Sequence, residues 1–342
     1  MNQMDRRCFL RLSGMLGVGL AVGGLVPAGA EAVKFDRRRF KVSETRLTMG
    51  TFVSMTLIHD SRDRAEKAMG RAFEEIERLT RLFNRFDETT ALGLLNREGL
   101  LRDVPPEVEE VVREGLRYHR ISGGRFDISV KPVVDLFRER FAGGGTPPDP
   151  AEMNRALALV GSDKIRVENG RIRFLKPGMG ITLDGIAKGY IVDRASQVLA
   201  ERGIDNHLIN AGGDIRTRGA RADGKPWAVA VQDPEKRAHY PAVVHMSNGA
   251  VATSGDYEVY FDREKMFHHI VNPKTGLSPH HSSSVTVLAP TAMRADALST
   301  SVFVMPPRRG AAFVDRLPIC ECLILTHRGN RIRSAGWARK TT

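Results

Sequence analysis

Asp296, Ser299 and Thr300 fall within one short run, "RADALSTSVFVM", residues 294 to 305. On a helix these three side chains share a face while Leu298, Val302 and Met305 turn inward. A carboxylate one turn from a hydroxyl is a hard-oxygen pair of the kind Mg²⁺ takes at a phosphate. The competing reading is an acid complementing a helix N-terminus beside small packing residues.

Four more stretches carry possible chemistry. "ITLDGIAKGYIVD", residues 181 to 193, reads as a strand, an Asp184-Gly185 turn and a helix start, with Lys188 in the first turn. Unpaired N–H groups and a positive dipole end there suit an anion. The pattern is neither a Walker loop nor a dinucleotide fingerprint, and an ordinary turn explains it as well. In "INAGGDIRTRG", residues 209 to 219, glycines allow close approach of a ligand, and Asp214 offers an oxygen to a hydroxyl or a metal. A plain hairpin is the alternative. "HHIVNPKTG", residues 268 to 276, places two histidines at a strand end before a turn. Nothing at ligand spacing completes a zinc site, so one of them bonding backbone near its own turn is the simpler reading. "GGRFDISVKP", residues 123 to 132, puts Phe126 and Asp127 at the start of an expected strand, suited to a ring and a hydrogen bond. Together these corners fit one large, polyanionic, ring-bearing nucleotide held with Mg²⁺.

The elements that must position them are legible in outline. Ser61 opens a long amphipathic helix carrying Ala65, Met69, Phe73, Ile76, Leu79 and Phe83, and Pro105-Pro106 opens a second with Val108, Val112 and Leu116 inward. "AGGGTPPDP", residues 142 to 150, reads as a mobile loop and Asn169-Gly170 as a hairpin turn. A helix is expected from about Ile186 to Arg202, followed by several strands. Helices and strands do not alternate regularly, so the class expected is α+β, with mixed or antiparallel sheets and flanking helices.

Residues 1 to 30 combine Arg6-Arg7, a short apolar run and Ala28-Gly29-Ala30, the pattern of a Tat-type signal peptide. The sequence therefore predicts export to the periplasm, or attachment to the inner membrane if the signal stays on. A basic linker is expected over 31–45, a catalytic domain over 46–330 and a basic tail over 331–342. The formal net charge of +12 falls to +10 without the three arginines and one aspartate of the signal. Such a balance suits an anionic partner; a nucleic-acid role is set aside on compartment and on the lack of aromatic-basic interleaving. Cys320 and Cys322 face one way on a probable strand and read as buried thiols.

"LTMGTFVSM", "GGRFDISVKP", "LDGIAKGYIVD", "INAGGDIRTRG", "HHIVNPKTG" and "ADALSTSVFVM" occur in the order and spacing of the ApbE family of FAD:protein FMN transferases, which the chain resembles from about residue 46 to 325. The resemblance implies an α+β fold with FAD in a cleft between two subdomains. It implies Mg²⁺-dependent transfer of FMN from FAD to a threonine or serine of a target protein, with release of AMP. The target it implies is a subunit of a membrane-bound respiratory complex. By the same resemblance Asp296, Thr300 and the Gly185 carbonyl are the metal ligands, and Met49, Arg125, Phe126, Asp127, Lys188 and Ile270 line FAD. His269 is the candidate base and Asp184 its rival, with AMP phosphate or water as further alternatives. Thr182 stands where many relatives have an acid that contacts the nucleotide, which leaves a non-catalytic FAD carrier and an FAD pyrophosphatase as other readings.

Overall fold

The computed structural model describes residues 31–36, 39–142, 145–235, 240–257, 260–262 and 267–340. The signal segment and part of the glycine-rich loop lie outside these residues. Strands β1 (Glu31–Asp36) and β2 (Arg39–Thr48) run straight into β3 (Thr51–His59), so the stretch expected to be a linker is sheet. Its run of arginines and lysines hides an alternation: Val42 and the half-buried Phe40 face the core between exposed Arg39 and Lys41. Helix α1 (Arg62–Leu82) follows, capped by Ser61, whose hydroxyl accepts from the Arg64 N–H. Helix α2 (Ala91–Glu98), strand β4 (Leu100–Leu101) and helix α3 (Pro106–Ile121) complete the first part of the chain.

The expected strand after Asp127 is not formed. Residues Ile128–Val130 make a 3-10 turn that leads into helix α4 (Lys131–Phe141), because the Asp127 carboxylate caps the turn by accepting from Ser129 N–H. Helix α5 (Pro150–Leu157) and the hairpin of β5 (Ile165–Glu168) and β6 (Arg171–Phe174) come next, turning at Asn169-Gly170 as expected. Residues 179–183 join no ladder and are held by the Asn96 amide on Ile181 and by Thr182 N–H donating to the Ile128 carbonyl. Helix α6 (Ala187–Glu201) then starts beyond the Asp184-Gly185 turn.

The rest of the chain is β7 (His207–Ala211), β8 (Asp214–Arg218), β9 (Trp227–Val231), β10 (Ala242–Met246), β11 (Gly249–Gly255), β12 (Ser284–Ala289), α7 (Ala292–Phe303), α8 (Pro307–Val314), β13 (Glu321–Leu325) and β14 (Arg331–Arg333). Nine strands form one antiparallel sheet in the order β1-β2-β3-β7-β8-β11-β12-β13-β14. Helices α1, α6 and α7 cover one face of it. On the opposite face the β9–β10 hairpin packs Val229, Val231 and Val244 over Val251, Leu288 and Leu323, and Trp337 is fully buried among them. The expected basic tail is thus part of the fold, since β14 pairs with β13 and the Trp337 ring anchors the turn beyond it. Covering both faces explains why all six residues of β12 are buried, the polar Ser284 and Thr286 included. Cys320 and Cys322 are buried free thiols.

Two histidines set an acid limit on this core. His207 Nδ1–H donates to the Ile204 carbonyl, leaving Nε2 to accept from the Ser196 hydroxyl, and burial pushes its pKa down to about 4. Burial lowers His268 to about 4 as well. Unfolded chains bind protons at these sites below the usual histidine pKa, whereas the fold resists them, so stability is held above that pH and lost on acidification towards pH 4. Between pH 7 and pH 5 each histidine is expected to withdraw on the order of 1–2 kcal/mol, so denaturant titrations should show His207→Asn losing about that much less than the parent over the same interval.

Candidate active site at the crossing of two helices

Helices α6 and α7 cross at Gly189. A Cβ placed there would lie 2.4 Å from the Ala292 carbonyl oxygen and 2.7 Å from Met293 Cα, so only glycine permits the approach. The contact brings the Gly189 N–H to Asp296 Oδ2 at 3.1 Å. One turn along α6, Asp193 accepts from the N–H groups of Ala292 and Met293, both at 2.9 Å, and closes the start of α7. Arg216, 3.6 Å from Asp193, also donates to the Pro290 carbonyl. Thr291 supplies the local cap by accepting from Arg294 N–H. Two of the amides at the α7 N-terminus are thus held by Asp193.

Asp296 sits in the second turn, 6% exposed, so it is neither a cap nor a surface acid. Burial, and then the neighbouring Asp214, push its pKa well above the usual carboxylate range, with Lys188 pulling the other way. Lys188 stands 3.4 Å from the buried Asp214 carboxylate, and Asp184 adds a further negative charge near Asp296. Thr300 lies one turn beyond. A Cβ on Gly185 would be 3.0 Å from Thr300 Oγ1, which places the Gly185 backbone beside that hydroxyl. Ser254 of β11 bonds the Ser299 hydroxyl at 2.8 Å and reaches Thr300 Oγ1 at 3.4 Å.

The remaining expected residues distribute unevenly around this corner. Met49 occupies a left-handed position at the β2–β3 turn (φ 55°), and the next residue but one, Thr51, packs against Gly212, which precedes Asp214. Asp184 is largely exposed and paired at 3.3 Å with Arg85, whose side chain is 3% exposed and also reaches Asp135. The Thr182 hydroxyl accepts from Asp184 N–H, shaping the turn. Phe126 is not presented to a ligand: 4% exposed, it meets Tyr118 edge-on and its ring supports the Gly185 turn from beneath. Asp127 is likewise committed within the protein, to Ser129, Ser162 and His119. Arg125 instead lines a groove beside α8. His269 is half-buried on the segment whose neighbour His268 packs edge-on against Phe303 of α7, and Ile270 belongs to the main core.

Sequence reasoning missed Arg85, Asp193 and Arg216. Asp193 lies in the quoted motif, where its spacing from Gly189 of one helical turn was the available signal. Arg85, in a turn about a hundred residues from its partner Asp184, has no local signature.

Among the described residues no group of three or more His, Cys, Asp or Glu is disposed to hold a metal. The corner offers a different donor set: the Asp296 carboxylate, the Thr300 hydroxyl and the Gly185 backbone. A buried acid beside a second buried acid, with Lys188 between them, is a cluster short of positive charge, and hard oxygens with such a deficit fit Mg²⁺.

A profile of the ApbE family matches residues 49–324. A Haemophilus influenzae protein named FAD:protein FMN transferase is 30% identical over 320 residues, spanning 88% of this chain and 91% of that protein. The structure resembles that of the ApbE protein of Thermotoga maritima, with a TM-score of 0.80 and 29% identity over 88% of this chain and 99% of the other. It also resembles the flavin transferase ApbE of Vibrio cholerae, with a TM-score of 0.74 and 27% identity over 91% and 100% of the two chains.

Proposed function

Because the chain belongs to the ApbE family, we propose that it transfers the FMN moiety of FAD to a serine or threonine hydroxyl of a target protein, releasing AMP, with Mg²⁺ held by Asp296, Thr300 and the Gly185 carbonyl. The observation that carries the metal assignment is Asp296 itself, an acid buried at a helix crossing with its pKa forced upward. Ionising such a group costs free energy that a bound cation returns. When bound, Mg²⁺ neutralises the diphosphate and polarises the phosphorus under attack.

The chain's own residues supply the rest. Lys188, at the start of α6 and beside Asp214, is placed to meet a phosphate oxygen. The acceptor oxygen attacks the phosphorus of the FMN half, the bond from that phosphorus to the AMP oxygen breaks, and the hydroxyl proton passes to a base. His269 is assigned that role, on the segment packed against the α7 end; Asp184, oriented by Arg85, is the rival. The twin-arginine segment supports a periplasmic location, and the target proposed is a flavin-bearing subunit of a membrane-bound respiratory complex.

Thr182, bonded to its own turn where many relatives carry an acid, favours one other reading, an FAD carrier without transfer activity. Incubation with FAD, Mg²⁺ and an acceptor protein separates the two. Covalent flavin on the acceptor, one AMP released per flavin attached and no product with EDTA are expected. FAD bound tightly with no AMP released over hours would establish the carrier.

A further inference from the structure

Two cavities flank the site. The larger, about 820 Å³, lies between α2, α4 and α5 and is lined by four basic and four acidic side chains, a balanced surface with no preference for either charge. The smaller, about 570 Å³, lies between the end of α3 and α8 and is different in kind. Its floor is apolar, from Met305, Pro306, Ala312 and Phe313, and its only charged lining groups are Arg125, Arg309 and Arg316. No acid lines it. The nearest in sequence, Asp315, accepts instead from Ala335 N–H. Among the described residues none of the three arginines forms an ion pair, whereas most arginines of α1 and α3 do.

Three guanidinium groups without acids over an apolar floor call for an occupant that is anionic and partly apolar. The position of the groove says which. Met305 follows Thr300 by five residues, an advance of about 7–8 Å along a helix. Arg125 adjoins Phe126, whose ring touches the Gly185 turn. The groove thus begins just past the end of α7, about one and a half helical turns from the corner at which the hydroxyl of a protein acceptor must arrive. We propose that it docks the acceptor protein, gripping a segment in which an acidic side chain stands beside an apolar one. The proposal rests on the transferase reading for the acceptor's identity, and on the lining residues for its chemistry. The arginines form pairs at the rim while the apolar side chain seats on Phe313, and the acceptor hydroxyl is held near Thr300 before chemistry begins.

The test uses the double variant Arg309→Glu/Arg316→Glu in the full-length protein, with the protein modified by the Haemophilus influenzae FAD:protein FMN transferase as the acceptor. Both arginines are exposed and unpaired, so the thermal midpoint is expected to be unchanged. Equilibrium binding of the acceptor to enzyme free of FAD and metal is expected to weaken at least tenfold and to lose its salt dependence, with FAD affinity unaltered. Acceptor binding that ignores the substitutions, or that is absent from the parent, overturns the proposal. So does a fall in FAD affinity instead, which would assign the groove to the nucleotide. Lost binding to vesicles of phosphatidylglycerol and phosphatidylcholine with acceptor binding intact would assign it to a membrane surface, and also overturns it. Arginine-dependent acceptor binding by a parent that never forms covalent flavin would leave docking standing and sink the transferase reading alone.

Discussion

Asp296→Asn is expected to lower Mg²⁺-dependent turnover at least about 10³-fold while leaving the metal-free protein no less stable than the parent. The two halves have one cause. The carboxylate is buried beside Asp214, and a carboxyl whose ionisation is harder in the fold than in the unfolded chain costs stability as pH rises. Asparagine keeps an oxygen to accept from Gly189 N–H, bonded at 3.1 Å in the parent, and removes the charge, so the repulsion with Asp214 disappears while the Gly189 donor stays satisfied. The charge that binds the metal disappears with it. Steady-state kinetics read the first effect and urea denaturation in EDTA the second. Added Mg²⁺ should raise the thermal midpoint of the parent but not of the variant, by mass action on the folded state. A variant that unfolds outright in EDTA would return Asp296 to a structural role.

Gly189→Ala carries the other large effect. The new methyl would meet the backbone of Ala292 and Met293 well inside contact distance, and a backbone cannot rotate aside as a side chain can. The helices must separate, stretching the Gly189–Asp296 bond and the two bonds that Asp193 makes to α7. A loss of about 3 kcal/mol or more is expected, with activity abolished even where the protein remains folded. Gly70→Ala is the control. In the interior of α1 it meets nothing within 4 Å, and the substitution should stabilise by about 0.5–1 kcal/mol. Chemical denaturation of the three proteins side by side checks both signs. Equal destabilisation by the two alanines would contradict the close crossing.

The contrast between these glycines shows what a sequence can convey here. Both lie within helices of ordinary composition, and only the partner that crosses one of them distinguishes their roles. Elements bounded by local chemistry are readable: the Ser61 cap, the Pro105-Pro106 helix start and the Asn169-Gly170 turn act within a few residues of themselves. The α+β class followed from the irregular order of such elements. Where a local pattern was overruled, a distant contact did it. The run expected to form a strand after Asp127 turns helical because that carboxylate caps it through the Ser129 N–H, and Ser162, 35 residues further on, holds the same carboxylate in place. The basic stretches Arg39–Thr48 and Arg331–Arg333 join the sheet because exposed charges alternate with core-facing residues, Val42 in the first and Ile332 in the second, while Trp337 beyond them is buried in the core of the other face.

The site was legible in the same unequal way. Asp296 and Thr300 share a helix face by periodicity alone, and Gly185 is brought beside Thr300 as the family resemblance implied. The Phe126 ring supports the Gly185 turn, and Asp127 caps the 3-10 turn that follows it, roles that residue type alone does not distinguish from contact with a ligand. Arg85 and Arg216 could not be found, because each acts on a carboxylate far away in the sequence.

The central claim is that a divalent cation is held at the α6–α7 crossing against the diphosphate of FAD. A crystal grown with FAD and Mn²⁺ in place of Mg²⁺, with anomalous scattering recorded at the manganese edge, tests it most directly. A single strong peak bonded to the Asp296 carboxylate, the Thr300 hydroxyl and the Gly185 carbonyl, and touching the diphosphate, is the predicted result. FAD bound in the protein with manganese elsewhere, or with the Asp296 carboxyl still bonded only to Gly189, would contradict the account.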